Sequence, residues 1–343
     1  MNDPIRVALA GYGYWGGNLA RNLAAATSLQ LVGVSDPDEG RRHAAQRAYG
    51  DILTWASLDD VLRCDAVDAV VLATPALMHE EMAVQVLEAG RHVLVEKPLA
   101  TTSAGAERIV AAAGAAGKVA MVGHTFLYSP PVRLLAGYIA DGTLGNVKYL
   151  YSQRLSLGKI RRDCNALWNF APHDVSIMLY LLGERPVEVS ARAMALIDPH
   201  VADVFFATLE FESGIGANVH VSWIDPRKAR LMTVVGDQKM AVFDDVSADR
   251  KITVFDAGVA QGSTLGEYES MGEFQWKTRA GDILIPKVTM TEPLLAEVEE
   301  FGTACQYGKE PLTNARHGAD VVRILEAIDH SAAAGGKPVA LSW

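Results

Sequence analysis

Few folds accommodate the order of residues between Ile5 and Asp36. A short apolar run, Ile5 to Ala10, meets the turn Gly11-Tyr12-Gly13-Tyr14-Trp15-Gly16 at once. An alanine- and leucine-rich stretch from Leu19 to Ala26 follows, then a second apolar run, Leu29 to Val34, that stops at Asp36. Strand, glycine turn, helix, strand and acid succeed one another, as in a dinucleotide-binding βαβ unit with its acid about 20 residues past the glycines.

Each part of the motif has a physical task. Gly11 turns the chain sharply off the strand, and Gly13, lacking Cβ, lets a pyrophosphate approach the backbone. Gly16 permits close packing of helix on sheet. The helix N-terminus offers unpaired N–H groups and a partial positive charge to phosphates. Asp36 is expected to accept from the adenosine ribose hydroxyls and to repel a 2′-phosphate, which favours NAD over NADP. Arg41 and Arg42 stand nearby as the groups that would hold such a phosphate.

The chain of 343 residues exceeds what one ordinary core organises, so two domains are expected. Half of it is hydrophobic (50%), enough for sizeable cores. A net charge of -10 argues against nucleic acid as a partner, because that binding needs a basic surface. Cys64, Cys164 and Cys305 are scattered, with no Cys-x-x-Cys or His/Cys cluster, so neither a metal nor a disulfide framework is expected. No apolar run reaches membrane-spanning length, and no basic-then-apolar leader precedes the first strand. A soluble, cytoplasmic protein is the expectation.

Apolar runs at residues 67–73, 92–95 and 119–122 alternate with helical stretches at 39–49, 80–88 and 102–116. This alternation predicts a parallel, doubly wound sheet ending near Gly123, a dinucleotide-binding domain over 1–123. From 124 to 343 the pattern changes. A helix over 130–140 and one over 168–182 flank β-rich runs between Val187 and Phe255, with two closing helices near 294–307 and 315–334. An α+β substrate-binding domain with a large open, mostly antiparallel sheet is expected. One face of such a sheet needs cover, and a second subunit supplies it, so a homodimer or homotetramer through this sheet is predicted.

Two stretches carry side chains suited to catalysis. Lys97, between Glu96 and Pro98, follows a parallel strand at the edge where doubly wound sheets bind ligands. The second is Leu167-Trp168-Asn169-Phe170-Ala171-Pro172-His173-Asp174. Pro172 suggests a helix start that places His173 in the first turn. Asn169 and His173 are four residues apart, and a histidine takes a hydroxyl proton near neutral pH. Arg154, Lys159, Arg161 and Arg162 precede this stretch and suit a diphosphate, or form a solvated basic loop.

The glycine turn, Thr74-Pro75-Ala76-Leu77-Met78-His79, Glu96-Lys97-Pro98 and the 168–183 segment together resemble the Gfo/Idh/MocA (glucose–fructose oxidoreductase / inositol dehydrogenase) family. The resemblance runs in order over most of the chain, and Glu-Lys-Pro is its most specific element. It implies a Rossmann domain followed by a domain whose open sheet builds oligomers, and an NAD(P)-dependent oxidoreductase acting on CH–OH groups. It implies Lys97 and His173 as catalytic residues and Asn169 and Lys97 at the substrate; Arg154 is expected there on its charge, and His124 either lines the substrate cleft or is a hydrogen-bonded strand residue. Cofactor contacts are expected for Gly11, Tyr12, Gly13, Tyr14, Gly16, Asp36, Thr74, Pro75, Glu96 and Lys97; Trp15 packs near the cofactor or in the core, and His79 is expected on the nicotinamide side. The chain departs from many members in having Asn169 where they carry Asp, and in the run Gly123-His124-Thr125-Phe126-Leu127-Tyr128.

The Trp-Asn-x-x-Pro-His-Asp version is similar to members linked to sugar-nucleotide pathways. The resemblance therefore implies an NAD-dependent dehydrogenase of a sugar ring hydroxyl, at C3 of a nucleotide-linked sugar such as a UDP-N-acetylhexosamine. Inositol or a free sugar is the alternative substrate, and a non-catalytic NAD(H)-sensing regulator is the alternative of another class.

Overall fold

The computed structural model of the chain describes residues 3–158, 160–260 and 277–343. The chain divides into two compact units, Met1–Ser129 with Thr291–Glu326, and Pro130–Met290 with Ala327–Trp343.

The first unit alternates strand and helix: β1 (Ile5–Ala10), α1 (Tyr14–Ala25), β2 (Leu29–Ser35), α2 (Glu39–Tyr49), β3 (Leu53–Trp55), α3 (Leu58–Leu62), β4 (Ala69–Leu72), α4 (His79–Glu88), β5 (His92–Val95), α5 (Ser103–Ala116) and β6 (Ala120–Val122). The six strands pair in the order β3-β2-β1-β4-β5-β6, all parallel. Val7, Leu9, Val70, Val71, Leu72, Val93 and Val95 are fully buried. Continuous apolar runs of this kind are what a sheet covered on both faces requires. The strand order reverses between β1 and β4, so the turns that follow these two strands lie side by side at the carboxyl edge. The short β3 was not legible as a strand, since Leu53-Thr54-Trp55 carries no period.

The second unit contains α6 (Pro130–Ala140), β7 (Val147–Leu155), α7 (Ala166–Leu182), β8 (Pro186–Met194), β9 (Val204–Phe211), β10 (Gly216–Ser222), β11 (Ala229–Gly236), β12 (Met240–Asp244), β13 (Ile252–Ala260) and β14 (Lys277–Leu284). Two helices and a short strand follow: α8 (Pro293–Tyr307), α9 (Ala315–Ala333) and β15 (Val339–Ala340). The sheet has nine strands in the order β14-β13-β12-β11-β7-β10-β9-β8-β15. Every pairing is antiparallel except β7 with β10. β9 buries Val204, Phe205, Ala207 and Leu209 while Phe206 stays 42% exposed, the alternation of a sheet packed on one face.

α8 packs on α1 and on the first two strands of the parallel sheet, burying Leu294, Val298 and Phe301. It belongs with the first unit, as does α9 up to Glu326. The first unit thus takes its last elements from a stretch that sequence reading grouped with the C-terminal half. Helical periodicity reports that a face is buried, not which sheet it is buried against.

Candidate active site

The glycine turn has the form that its sequence predicts. Gly11 sits at φ +95°, and a Cβ there would lie 2.5 Å from the Ala73 carbonyl oxygen. A Cβ on Gly16 would lie 2.2 Å from the Gly11 carbonyl oxygen. Gly13 is the N-cap of α1 with no side-chain cap, and the first turn holds no acidic residue. The leading N–H groups of α1 are therefore open to an anion. A Cβ on Gly13 would meet only the tip of Arg41, at 3.9 Å. These features fit a dinucleotide pyrophosphate.

Asp36 lies at the end of β2, 2% exposed. One carboxylate oxygen accepts from the Tyr12 N–H at 2.8 Å and the other from the Asp38 N–H at 2.9 Å. The acid and the glycine turn are thereby one piece of structure. Arg41 approaches the same carboxylate at 3.5 Å, whereas Arg42 donates to the carbonyls of Asp36 and Pro37 at 2.8 and 3.0 Å.

The neighbouring turn, after β4, brings Ala73 and Thr74 against Gly11, with Pro75 next in the chain. The Thr74 hydroxyl is buried without a hydrogen-bond partner among the described residues. His79 opens α4 and is 1% exposed. Its Nδ1 lies 2.7 Å from the Pro98 carbonyl oxygen and its Nε2 2.9 Å from that of Thr74. Burial lowers its pKa, against those two carbonyls. His79, expected beside the cofactor, thus ties together the turns after β4 and β5.

Glu96-Lys97-Pro98 follows β5 at the same edge of the sheet, with a cis bond between Lys97 and Pro98. Glu96 accepts from the indole N–H of Trp15 and from the Lys97 backbone N–H at 3.2 Å. Trp15 is 41% and Tyr14 94% exposed. Lys97 is half-buried. His124, just past β6, is closed off at 1% exposure and stands edge-on to His317, with ring centroids 5.3 Å apart. Burial lowers its pKa well below the ordinary histidine range. A direct substrate contact expected of His124 has no open surface to use here.

In the second unit, α7 starts earlier than Pro172 suggests. Asn165 is the N-cap and its side chain accepts from the Trp168 N–H at 3.1 Å. Pro172 therefore lies inside the helix and His173 is its eighth residue, not part of its first turn. The cap outweighs the proline, which removes only one intrahelical donor near the helix start. Asp329 fixes the cap: it accepts from the Asn165 amide at 3.1 Å and from the Trp168 indole N–H. No local pattern announces a partner so distant in sequence.

The spacing of Asn169 and His173 does survive. The two residues stand one turn apart on α7, both half-buried, while Ala171, Pro172, Asp174, Val175 and Ser176 are buried. Asp174 is gripped by Arg154 from β7, at 2.9 and 3.0 Å, with the residues 2% and 6% exposed. Arg154, expected at the substrate, is thus committed to a buried bidentate ion pair that anchors the helix to its sheet. Arg161 pairs with Asp163 at 2.9 Å. Arg162 lines a hollow of about 400 Å³ with Asn165, His200 and Asp329, and Lys159 lies outside the described residues.

Two family models match the chain: "Oxidoreductase family, NAD-binding Rossmann fold" over residues 5–124 and "GFO/IDH/MocA C-terminal domain" over residues 110–242. The chain is 26% identical over 333 residues to 4-carboxy-2-hydroxymuconate-6-semialdehyde dehydrogenase of Sphingobium sp., covering 95% of this chain and 98% of that protein. It is 29% identical over 259 residues to UDP-N-acetylglucosamine 3-dehydrogenase of Acidithiobacillus ferrooxidans, covering 75% of this chain and 80% of that one. The crystal structure of GenD2 from gentamicin A biosynthesis, in complex with NAD, superposes with a TM-score of 0.82 at 26% identity, covering 100% of this chain and 98% of GenD2. The glycine cradle, the acid after β2 and these matches make NAD the cofactor and the chain a nicotinamide-dependent dehydrogenase. In sequence, fold and dinucleotide site alike, it belongs to the Gfo/Idh/MocA oxidoreductase family.

Proposed function

We propose that the protein oxidises, or reduces back, a ring hydroxyl of a sugar, at C3 of a nucleotide-linked sugar such as a UDP-N-acetylhexosamine. The observation that carries this reading is the pair Asn169 and His173, one turn apart on the accessible side of α7, in a chain that also holds Lys97 at the dinucleotide edge of its parallel sheet. The likeness to a UDP-N-acetylglucosamine 3-dehydrogenase supports the substrate class.

The reaction converts a secondary alcohol to a ketone, with one hydride and one proton leaving. Gly11 to Gly16, Asp36, Thr74 and Pro75 would hold NAD, which would supply the hydride acceptor when bound. His173 takes the hydroxyl proton as general base and returns it in the reverse direction. Lys97 is the second catalytic residue, a cation suited to stabilising charge that develops on a substrate oxygen. Asn169, which carries no charge, holds a neighbouring hydroxyl or orients His173.

Inositol or a free sugar is the second reading, and one observation favours it. Arg154 is spent on Asp174 and Arg161 on Asp163, which leaves fewer cations for a diphosphate. Turnover with UDP-sugars but not with free polyols supports the first reading, and the opposite pattern the second.

We also propose that the open face of the nine-stranded sheet pairs with a second copy to make a dimer or tetramer. Tyr149 and Phe206 are 49% and 42% exposed there and line a groove of about 470 Å³ with Tyr151 and His220. An apolar, aromatic face of this kind suits an interface core.

The roles are tested with His173→Ala and Lys97→Ala. Each variant still binds NAD and loses turnover by about a hundredfold or more. Wild-type turnover in either variant removes that residue from the mechanism.

A further inference from the structure

Trp15 and Glu96, expected to touch the cofactor, also join the parts of the site. Trp15 belongs to the glycine turn and Glu96 directly precedes Lys97. The indole N–H of Trp15 is spent on one Glu96 carboxylate oxygen, while the other accepts the Lys97 backbone N–H at 3.2 Å. Gly123 backs the carboxylate closely: a Cβ there would lie 3.2 Å from all three atoms of the Glu96 carboxyl, which would have to give by a few tenths of an ångström. Burial pushes the Glu96 carboxyl up from its ordinary range, while the Trp15 N–H and the Lys97 charge pull it back. The tether therefore lies partly out of water, where hydrogen bonds are stronger. The indole ring itself remains 41% exposed beside the helix N-terminus that receives the phosphates.

We propose that Trp15 and Glu96 are positioning residues, a strut through which the dinucleotide-binding turn holds the Lys97 backbone in register for catalysis. The strut needs the hydrogen-bonding shape of Glu96 more than its charge. A glutamine keeps the acceptor that the Trp15 N–H uses, whereas alanine removes it. A phenylalanine at position 15 keeps an aromatic ring but not the donor. The inference rests on the reading of Lys97 as the residue that meets the substrate oxygen.

The test uses the full chain and NAD, with a sugar that the wild type turns over. Trp15→Phe and Glu96→Ala each lower kcat by between about ten- and a hundredfold, the cost of a small misplacement, with KM and the NAD Kd within a few-fold of wild type. Glu96→Gln keeps at least several-fold more kcat than Glu96→Ala, and the double variant Trp15→Phe/Glu96→Ala is no worse than the worse single variant. In the wild type, the Trp15 indole N–H resonance, assigned by its loss in Trp15→Phe, lies in the hydrogen-bonded range and stays there in Glu96→Gln. It moves upfield in Glu96→Ala. Additive losses, a Glu96→Gln variant as poor as Glu96→Ala, or an indole N–H with the shift of a free one in the wild type each overturn the strut. Lys97→Ala is the control. If it retains turnover, the role of Lys97 fails; if it loses turnover while Trp15→Phe does not, only the strut fails.

Discussion

Single residues decide the chemistry, and the clearest case is Asp36. Its two oxygens accept backbone N–H groups from Tyr12 and Asp38, so its charge sits at a fixed place beside the glycine turn. Replacing it with serine removes the repulsion of a 2′-phosphate and leaves Arg41, 3.5 Å from that carboxylate, to face it. Asp36→Ser is expected to weaken NAD binding and strengthen NADP binding, each by about tenfold, equivalent to about 1.4 kcal/mol. Titration of both cofactors by fluorescence checks this, and an unchanged preference would remove Asp36 as the discriminator. Gly11, Gly13, Gly16 and Asp36 were legible in the sequence because each task there admits few residue types. For Arg154 and His124 the sequence shows the residue type but not the burial: Arg154 closes on Asp174 and His124 lies edge-on to His317.

At the scale of elements, close approach and caps explain what forms. The Cβ of a Gly16→Ala variant would press on the Gly11 carbonyl at 2.2 Å, whereas one on Gly17 meets nothing within 4 Å among the described residues. Thermal unfolding should show Gly16→Ala losing stability and NAD affinity together, while Gly17→Ala matches wild type or gains up to about 1 kcal/mol from helix propensity. Equal behaviour of the two variants would contradict the packing argument. Asp203 makes a second case, at the end of β8 and β9. Burial raises its pKa, but donation from Trp223 at 2.5 Å, Leu196 at 2.6 Å and Ile197 at 2.9 Å outweighs it, and the net direction is downward. A carboxylate whose folded pKa is depressed adds stability above its unfolded pKa and loses it as pH falls through the folded value. Acid unfolding should therefore be shallower in Asp203→Asn than in wild type below about pH 4, and identical acid profiles would refute the assignment. Helices and parallel strands were legible because their apolar periods are set locally. The start of α7 was not, because the Asn165 cap depends on Asp329, far along the chain.

The whole molecule adds what no element has alone. One compact unit carries the dinucleotide cradle and Lys97, the other carries His173, and α8 with the first part of α9 returns to the first unit. Sequence reading gave both sheets in kind but not this return, since periodicity does not name a partner. The open sheet face predicts self-association: light scattering should give a dimer or tetramer, and Phe206→Glu, which sets a charge among Tyr149, Tyr151 and His220, should lower the mass. A wild-type monomer at working concentration would contradict the proposed interface.

The most direct test of the account is absorbance at the reduced-nicotinamide band. The purified protein is mixed with NAD and a panel of UDP-sugars, free sugars and inositols, in parallel with His173→Ala and Lys97→Ala. The band is expected to grow with a nucleotide-linked sugar in the wild type and to be nearly absent in both variants, although each still binds NAD. Failure of every sugar in the panel to raise the band, or wild-type growth in His173→Ala, would contradict it.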